Sequence, residues 1–270
     1  MQEITNNWLV HACIVEENSQ ELCQMIKNQA NFNVNYASMK LTQDVPFLGL
    51  ACQKENVDIV VLLLSHPEIM INHVFYGHIN FSNMTVMRAC TPFSMCCFLG
   101  CPKSLSLLLK DCRIKTVKVG YGYIAPLVEA AHHGKIEVVK VWISSGRKLE
   151  CLEDALKVES KVSLSTVKLL EEFQAAPDAV RHRLRLEIGW YHETAAETFA
   201  LVIFFCEKLL EVKDEEKNLN TRRFFRLLAK LPIELQMSIC YKHAGIMRDV
   251  IKSEETDKAF RHLAMRYLYH

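Results

Sequence analysis

Three stretches in the first half of the chain repeat one pattern of apolar and polar positions. They are PFLGLACQKENVDIVVLLLS from Pro46, TPFSMCCFLGCPKSLSLLLK from Thr91 and APLVEAAHHGKIEVVKVWIS from Ala125. With the three starts superposed, the sixth and seventh places are small: Ala51-Cys52, Cys96-Cys97 and Ala130-Ala131. The tenth place holds Glu55, Gly100 and Gly134. A longer apolar run then follows at a fixed offset: IVVLLL, LSLLL and VVKVWI. The spacing predicts a short helix, a tight turn and a second helix in each copy. Paired small residues on the first helix let the second approach closely. A glycine at the tenth place suits the left-handed residue that closes a helix. The second helix is apolar nearly all round, which requires cover on several sides. One such pair cannot bury its own apolar surface, and a stack of them can.

A weaker copy starts near Asn7, where Asn7-Trp8-Leu9-Val10-His11-Ala12-Cys13 offers Ala12-Cys13 as the small pair. Leu22, Cys23, Met25 and Ile26 supply its second helix, and its polar character suits a cap. A degenerate fifth unit runs from about Glu150 to Phe173, with Val167-Lys168-Leu169-Leu170 as its second helix. Starts at 7, 46, 91 and 125 lie 39, 45 and 34 residues apart. The longest insertion therefore spans Asn72 to Cys90, and insertions on one face of a stack often mark its binding side.

Beyond Ala176 the repeat is lost and five helical segments follow. Pro177-Asp178 opens the first, with Val180, Leu184 and Ile188 at helical spacing and Arg181, Arg183 and Arg185 between them. Glu193–Val212 is the most apolar, and the charged loop Asp214–Lys217 separates it from Thr221–Lys230. Pro232 starts the fourth, which Gly245 closes, and the last begins near Thr256. Short connections between such helices predict a helical domain, the first helix of which covers the end of the stack.

The composition agrees with an all-α reading. Nine glycines and seven prolines in 270 residues are few for a protein built on hairpins. Half of the residues are hydrophobic, enough for a continuous core. A net charge of +1 gives no global field toward nucleic acid or an anionic membrane. Eleven cysteines, several inside apolar helical runs, read as buried reduced thiols. The polar Met1–Asn7 lacks a signal-peptide profile, and Ala200–Cys206 is too short to span a membrane. The expected location is cytoplasmic or nuclear.

The first-half pattern resembles the ankyrin repeat. Thr91-Pro92-Phe93-Ser94 stands where that family has Thr-Pro-Leu-His, and Ala125-Pro126-Leu127 is the same corner. His132-His133-Gly134-Lys135-Ile136-Glu137-Val138-Val139-Lys140 is similar to the family's Asn-Gly-His-Leu-Glu-Val-Val-Lys run. Asn56-Val57-Asp58-Ile59-Val60 matches the same place in the earlier copy. The resemblance implies an ankyrin-repeat solenoid of four to five repeats over residues 1–150, with copies near 7–36, 46–71, 91–115 and 125–149. Residues 151–175 form a degenerate repeat or connector, and 176–270 a helical C-terminal domain. Repeats followed by such a tail are similar to the large ankyrin families of single-celled eukaryotes.

In ankyrin arrays the exposed face of the first helices and the tips of β-hairpin fingers meet a partner protein. By that resemblance the contact positions are Gln53, Lys54, Phe98, Leu99, His132 and His133 on the helices. Phe75, Tyr76, His78, Tyr121 and Tyr123 belong to the fingers. Aromatic residues are enriched at interface hot spots. The segment Leu231-Pro232-Ile233-Glu234-Leu235-Gln236 is similar to the start of an F-box, with Ile239 and Tyr241 continuing the match. That second resemblance implies a substrate adaptor of a ubiquitin ligase, working through Leu231, Pro232, Glu234 and Leu235. It is also the pattern of any Pro-initiated core helix.

No catalytic motif, phosphate-binding glycine loop or Cys-x-x-Cys pair stands in the sequence. Cys96 and Cys97 fall on the small places of a repeat helix, where packing explains them. The basic residues Arg181, His182, Arg183, Arg185, Arg222 and Arg223 read as solvated helix faces or an acid-paired seam. No catalytic residue, cofactor or metal is expected. The partner is another protein, with neither nucleic acid nor membrane.

Overall fold

The computed structural model describes residues 2–28, 32–37, 44–81, 84–117, 124–158, 162–211 and 219–267. They are mostly helical, and the chain divides into two compact units: a first that runs to Leu184, and a second formed by Arg185–Tyr267.

The first unit is built of successive helix pairs. These are α1 (Gln2–Val15) with α2 (Ser19–Lys27), α3 (Phe47–Gln53) with α4 (Val57–Ser65), and α5 (Pro92–Leu99) with α6 (Pro102–Lys110). Next come α7 (Pro126–His132) with α8 (Ile136–Ser145), and α9 (Leu152–Leu156) with α10 (Leu164–Ala175). The helices stack in two rows: α1, α3, α5, α7 and α9 in one, and α2, α4, α6, α8 and α10 in the other. The small pairs sit where the rows meet, with Ala51, Cys52, Cys96, Cys97, Ala130 and Ala131 fully buried. In α4 every residue from Ile59 to Leu63 is buried, as are Leu105 and Leu107–Leu109 in α6. Each large aliphatic side chain so covered gains about 1.5–3 kcal/mol over exposure to water. Trp142 of α8, fully buried, meets Phe93 of α5 edge to face, with ring centroids 4.9 Å apart.

One closure ends four of the first helices. Asn18 N donates to Cys13 O, Asn56 N to Ala51 O, Cys101 N to Cys96 O and Lys135 N to Ala130 O, at 2.8, 3.3, 3.0 and 2.8 Å. The residue before each donor is left-handed: Glu17, Glu55, Gly100 and Gly134, with φ of 59°, 52°, 87° and 62°. This is the reach-back bond that satisfies the orphan carbonyls of a helix end. It also fixes the register of the first copy. Cys13 stands where Ala51, Cys96 and Ala130 stand, so the pair is Cys13-Ile14 and not the expected Ala12-Cys13. Sequence favours the smaller residues, and the closing bond decides. Asn18 and Asn56 then cap α2 and α4 by accepting from Glu21 N and Ile59 N. Thr91 and Ser94 form a reciprocal capping box at the start of α5.

The insertion between α4 and α5 is an antiparallel hairpin. Its strands β1 (Phe75–Phe81) and β2 (Met84–Cys90) pair from Phe75 opposite Cys90 to Phe81 opposite Met84.

The last helix of this unit, α11 (Pro177–Glu187), starts at the expected proline and runs past Leu184. Val180 and Leu184 are buried. The Arg181 guanidinium lies 5.6 Å from the Phe173 ring centre, and Arg183 pairs with Glu172 at 2.6 Å.

The second unit holds α12 (Trp190–Cys206), α13 (Leu219–Leu228), α14 (Ile233–Ala244) and α15 (Ser253–Arg266). Helix α12 packs on both α14 and α15. Ala195, Ala196, Phe199, Ala200 and Val202 of α12 meet Leu228, Cys240, Tyr241, Ile251, Ala259 and Leu263 in one core. A hydrogen bond of 2.9 Å joins His192 Nδ1 to the buried Tyr241 hydroxyl. Gly245, left-handed at φ 106°, closes α14 as the sequence predicts. The charged segment Asp214–Lys217 lies outside the described residues. Among the described residues no helix is long and apolar enough to cross a membrane.

Candidate partner-binding face

The closing turns bring the ends of α3, α5 and α7 to equivalent places in one row. Gln53 and Lys54 are exposed, Leu99 is half-buried and His132 is exposed. Phe98 departs from expectation: it is only 4% exposed, so it offers almost no surface to a partner. Its ring stands edge to face with His133 of the neighbouring helix, 4.8 Å between centroids. His133 is largely covered as well, and its Nε2 lies 3.3 Å from Oε2 of the buried Glu129. The two residues knit α5 to α7. A lateral neighbour of this kind is set by stacking, which the pattern along one helix does not reveal.

At the hairpin the outcome is again divided. Phe75 is 4% exposed, so it too is a packing residue and not a contact. Its ring lies over Gly49 of α3, where a side-chain carbon would meet Phe75 Cζ and Met95 Cε, each at 3.5 Å. Tyr76, one residue on, is 61% exposed. Alternation along the strand explains the contrast. His78 is on β1 with its backbone opposite Met87, and its side chain is not among the described ones. Tyr121 and Tyr123 lie outside the described residues.

Sequence reading missed Met70, Val74, Val117 and Ile124, which are exposed apolar side chains on the connections between pairs. It also missed the polar bonds that hold those connections. The Asn35 side chain donates to Glu68 O and accepts from Met70 N, at 2.9 and 2.8 Å. The Asn72 side chain repeats this one pair later, donating to Arg113 O and accepting from Lys115 N, both at 2.8 Å.

The ends of the second helices α4, α6 and α8 are each tied down by an arginine from beyond the next one. Arg113 donates to Leu64 O at 2.9 Å, Arg147 to Leu109 O at 3.1 Å and Arg181 to Ile143 O at 3.3 Å. The three carbonyls occupy one place near the ends of α4, α6 and α8, each nine residues after Glu55, Gly100 and Gly134. The arginines themselves recur every 34 residues, at 113, 147 and 181, a signal visible in the sequence. Arg181 is thus a bonded link and not a solvated charge. Glu55 makes a further tie: its carboxylate accepts from Lys103 N at 2.9 Å, at the start of α6. A negative charge there also opposes the positive helix end.

In the second unit, Leu231 is half-buried against the core and Pro232 caps α14. Glu234 and Leu235 are exposed, with Ile233 and Leu235 at 49% and 50%. Gln236 turns inward, and its Nε2 donates to Leu231 O at 2.9 Å.

The buried thiols of Cys13, Cys96, Cys97, Cys101 and Cys240 are poor nucleophiles. Burial pushes Cys96 and Cys97 well above the usual thiol range, and the neighbouring Cys52 and Cys101 thiols add to the effect at Cys96. Burial also raises Cys101 and Cys240 to about 12 and Cys13 to about 11. None of the eleven cysteines takes part in a disulfide. Among the described residues no three His, Cys, Asp or Glu side chains converge as metal ligands would. No family model matches the chain, and no curated protein matches it either.

Proposed function

We propose that the first unit is an ankyrin-type repeat array that binds another protein and carries out no chemistry of its own. The face runs along the ends of α3, α5 and α7, through Gln53, Lys54, Leu99 and His132, with Tyr76 on the hairpin. One observation carries the reading. Four successive first helices end on the same left-handed turn with the same reach-back bond, so equivalent side chains stand at equivalent places. A surface fixed in this way loses little conformational entropy on binding. Affinity then rests on a few exposed residues, Tyr76 foremost.

The test is capture by the full chain beside a Lys54→Glu, Tyr76→Ala, His132→Glu variant. All three residues are exposed, so the helical circular dichroism and melting temperature stay unchanged. A partner retained by the native chain and weakened at least tenfold by the variant supports the reading. Retention undiminished by the triple change overturns it.

A second reading attaches to α14. Ile233 and Leu235 stay half exposed although an ordinary core helix would cover them. An F-box-like adaptor would use them to dock on a ubiquitin-ligase scaffold. Leu231 packs on the core, so the informative change is Leu235→Asp, with loss of a co-purifying cullin scaffold as the readout.

A further inference from the structure

Helix α13 presents two faces of opposite chemistry. Phe224, Phe225 and Leu228 turn toward the core of the second unit. Leu219, Arg223, Arg226 and Leu227 are exposed, followed by Lys230 just beyond the helix. Steps of four, three and one residues place Leu219, Arg223, Arg226 and Leu227 on one side of the helix, and Lys230 follows in the turn that ends it. Leu227 is 66% exposed and Leu219 is 48% exposed. From Leu219 to Ile233 the sequence holds four cations, Arg222, Arg223, Arg226 and Lys230, and no acid. The chain's net charge of +1 conceals this local excess.

We infer that this face of α13 docks on the surface of an anionic lipid bilayer. Cationic side chains meet the headgroup charge while the two leucines enter the boundary of the acyl region. Ten residues of helix span about 15 Å, enough to lie in the plane of the interface. The chemistry of the face separates the anionic partners. Single-stranded nucleic acid is held by aromatic stacking as well as charge, and no exposed residue of this face is aromatic. A protein partner would have to match both leucines with complementary packing of its own. Aliphatic side chains that stand out among cations need no matching shape in a fluid bilayer.

The experiment is co-sedimentation of the full chain with vesicles of phosphatidylcholine alone and with about a third of phosphatidylserine, at two salt concentrations. A single-stranded oligonucleotide and an acidic helical peptide serve as rival ligands. The expected result is partition onto the phosphatidylserine vesicles alone, weakened by salt. Arg223→Gln, Arg226→Gln and Lys230→Gln together lower it roughly a hundredfold, about fivefold for each charge removed. Leu219→Ser with Leu227→Ser lowers it about tenfold or more, with the helical signal of the fold intact. Equal partition onto both vesicles, no partition at low salt, or partition indifferent to these changes overturns the inference. Tighter binding of the oligonucleotide or the peptide than of the vesicles overturns it too.

Discussion

At Gly134 a methyl group has nowhere to go. The residue is left-handed at φ +62°, and an added Cβ would lie 2.4 Å from the backbone oxygen of Val162. A carbonyl held by its own chain cannot rotate away as a side chain does. Gly134→Ala is expected to cost about 3 kcal/mol, from left-handed strain together with the clash, as measured by denaturant unfolding. Glu55 occupies the equivalent turn two pairs earlier with φ 52°, and there the side chain repays its strain by accepting from Lys103 N. Glu55→Gly therefore relieves one cost while removing one bond, and stability is expected to move by less than about 1 kcal/mol. Arg147 tests the links between pairs. Its guanidinium donates to Leu109 O and to Asp111 O at 3.1 and 2.7 Å. Charged donors to carbonyls near a helix end are worth more than neutral ones, so Arg147→Met is expected to cost about 2 kcal/mol. An unchanged denaturation midpoint would mean that these bonds do not hold α6 to the pair after it.

The elements were largely legible because each helix carries its own period, and the places that misread were lateral. Pro46, Thr91 and Ala125 stand at or beside the starts of helices, and the glycines at 100 and 134 close them. Those signals are local and survive in a single sequence. The register of the first copy depends on a bond from Asn18 to Cys13, which two candidate small pairs satisfy equally well on paper. Phe98 and Phe75 are contacts by the repeat resemblance, which assigns places on the first helix and the finger without regard to what the adjacent pairs cover. The cover comes from His133 and from the neighbourhood of Gly49, in the adjacent pairs. The 34-residue arginine spacing was present in the sequence, but charged residues are seldom read as part of a repeat. The hairpin turns this difference into a measurement. Phe75→Ala empties a buried site between α3 and α5 and is expected to cost about 3–4 kcal/mol. Tyr76→Ala, one position on, is expected to stay within about 0.5 kcal/mol and to weaken partner capture instead. If Tyr76→Ala destabilised the chain as Phe75→Ala does, strand alternation would be the wrong account of this hairpin.

Across the whole molecule the thiols report on two separate cores. Cys52, Cys96, Cys97 and Cys101 are buried in the first unit, and Cys240 is buried in the second. Burial disfavours the thiolate, which raises Cys101 and Cys240 to about 12 against an ordinary value of 9.0. The raised value fixes the direction of the pH effect. Between pH 9 and about 12 the unfolded chain has lost protons that the folded chain keeps, so stability falls as pH rises through that window. Below pH 9 both states hold the proton and these thiols contribute no slope. Unfolding midpoints measured from pH 8 to 11 should therefore be flat at first and then fall, in the first unit as in the second. A thiol reagent at pH 8 should label the exposed Cys112 and Cys151 at once, and the buried set only as each core opens. Because each unit buries its own apolar residues, Cys240 and the Cys52–Cys96–Cys97 group answer to different openings. Leu228→Ala cuts into the second core alone, and should bring forward the labelling of Cys240 while the first-unit thiols keep their native protection. Should all five thiols become reactive together in that variant, the two cores would be one cooperative structure, and the division at Leu184 would carry no energetic meaning.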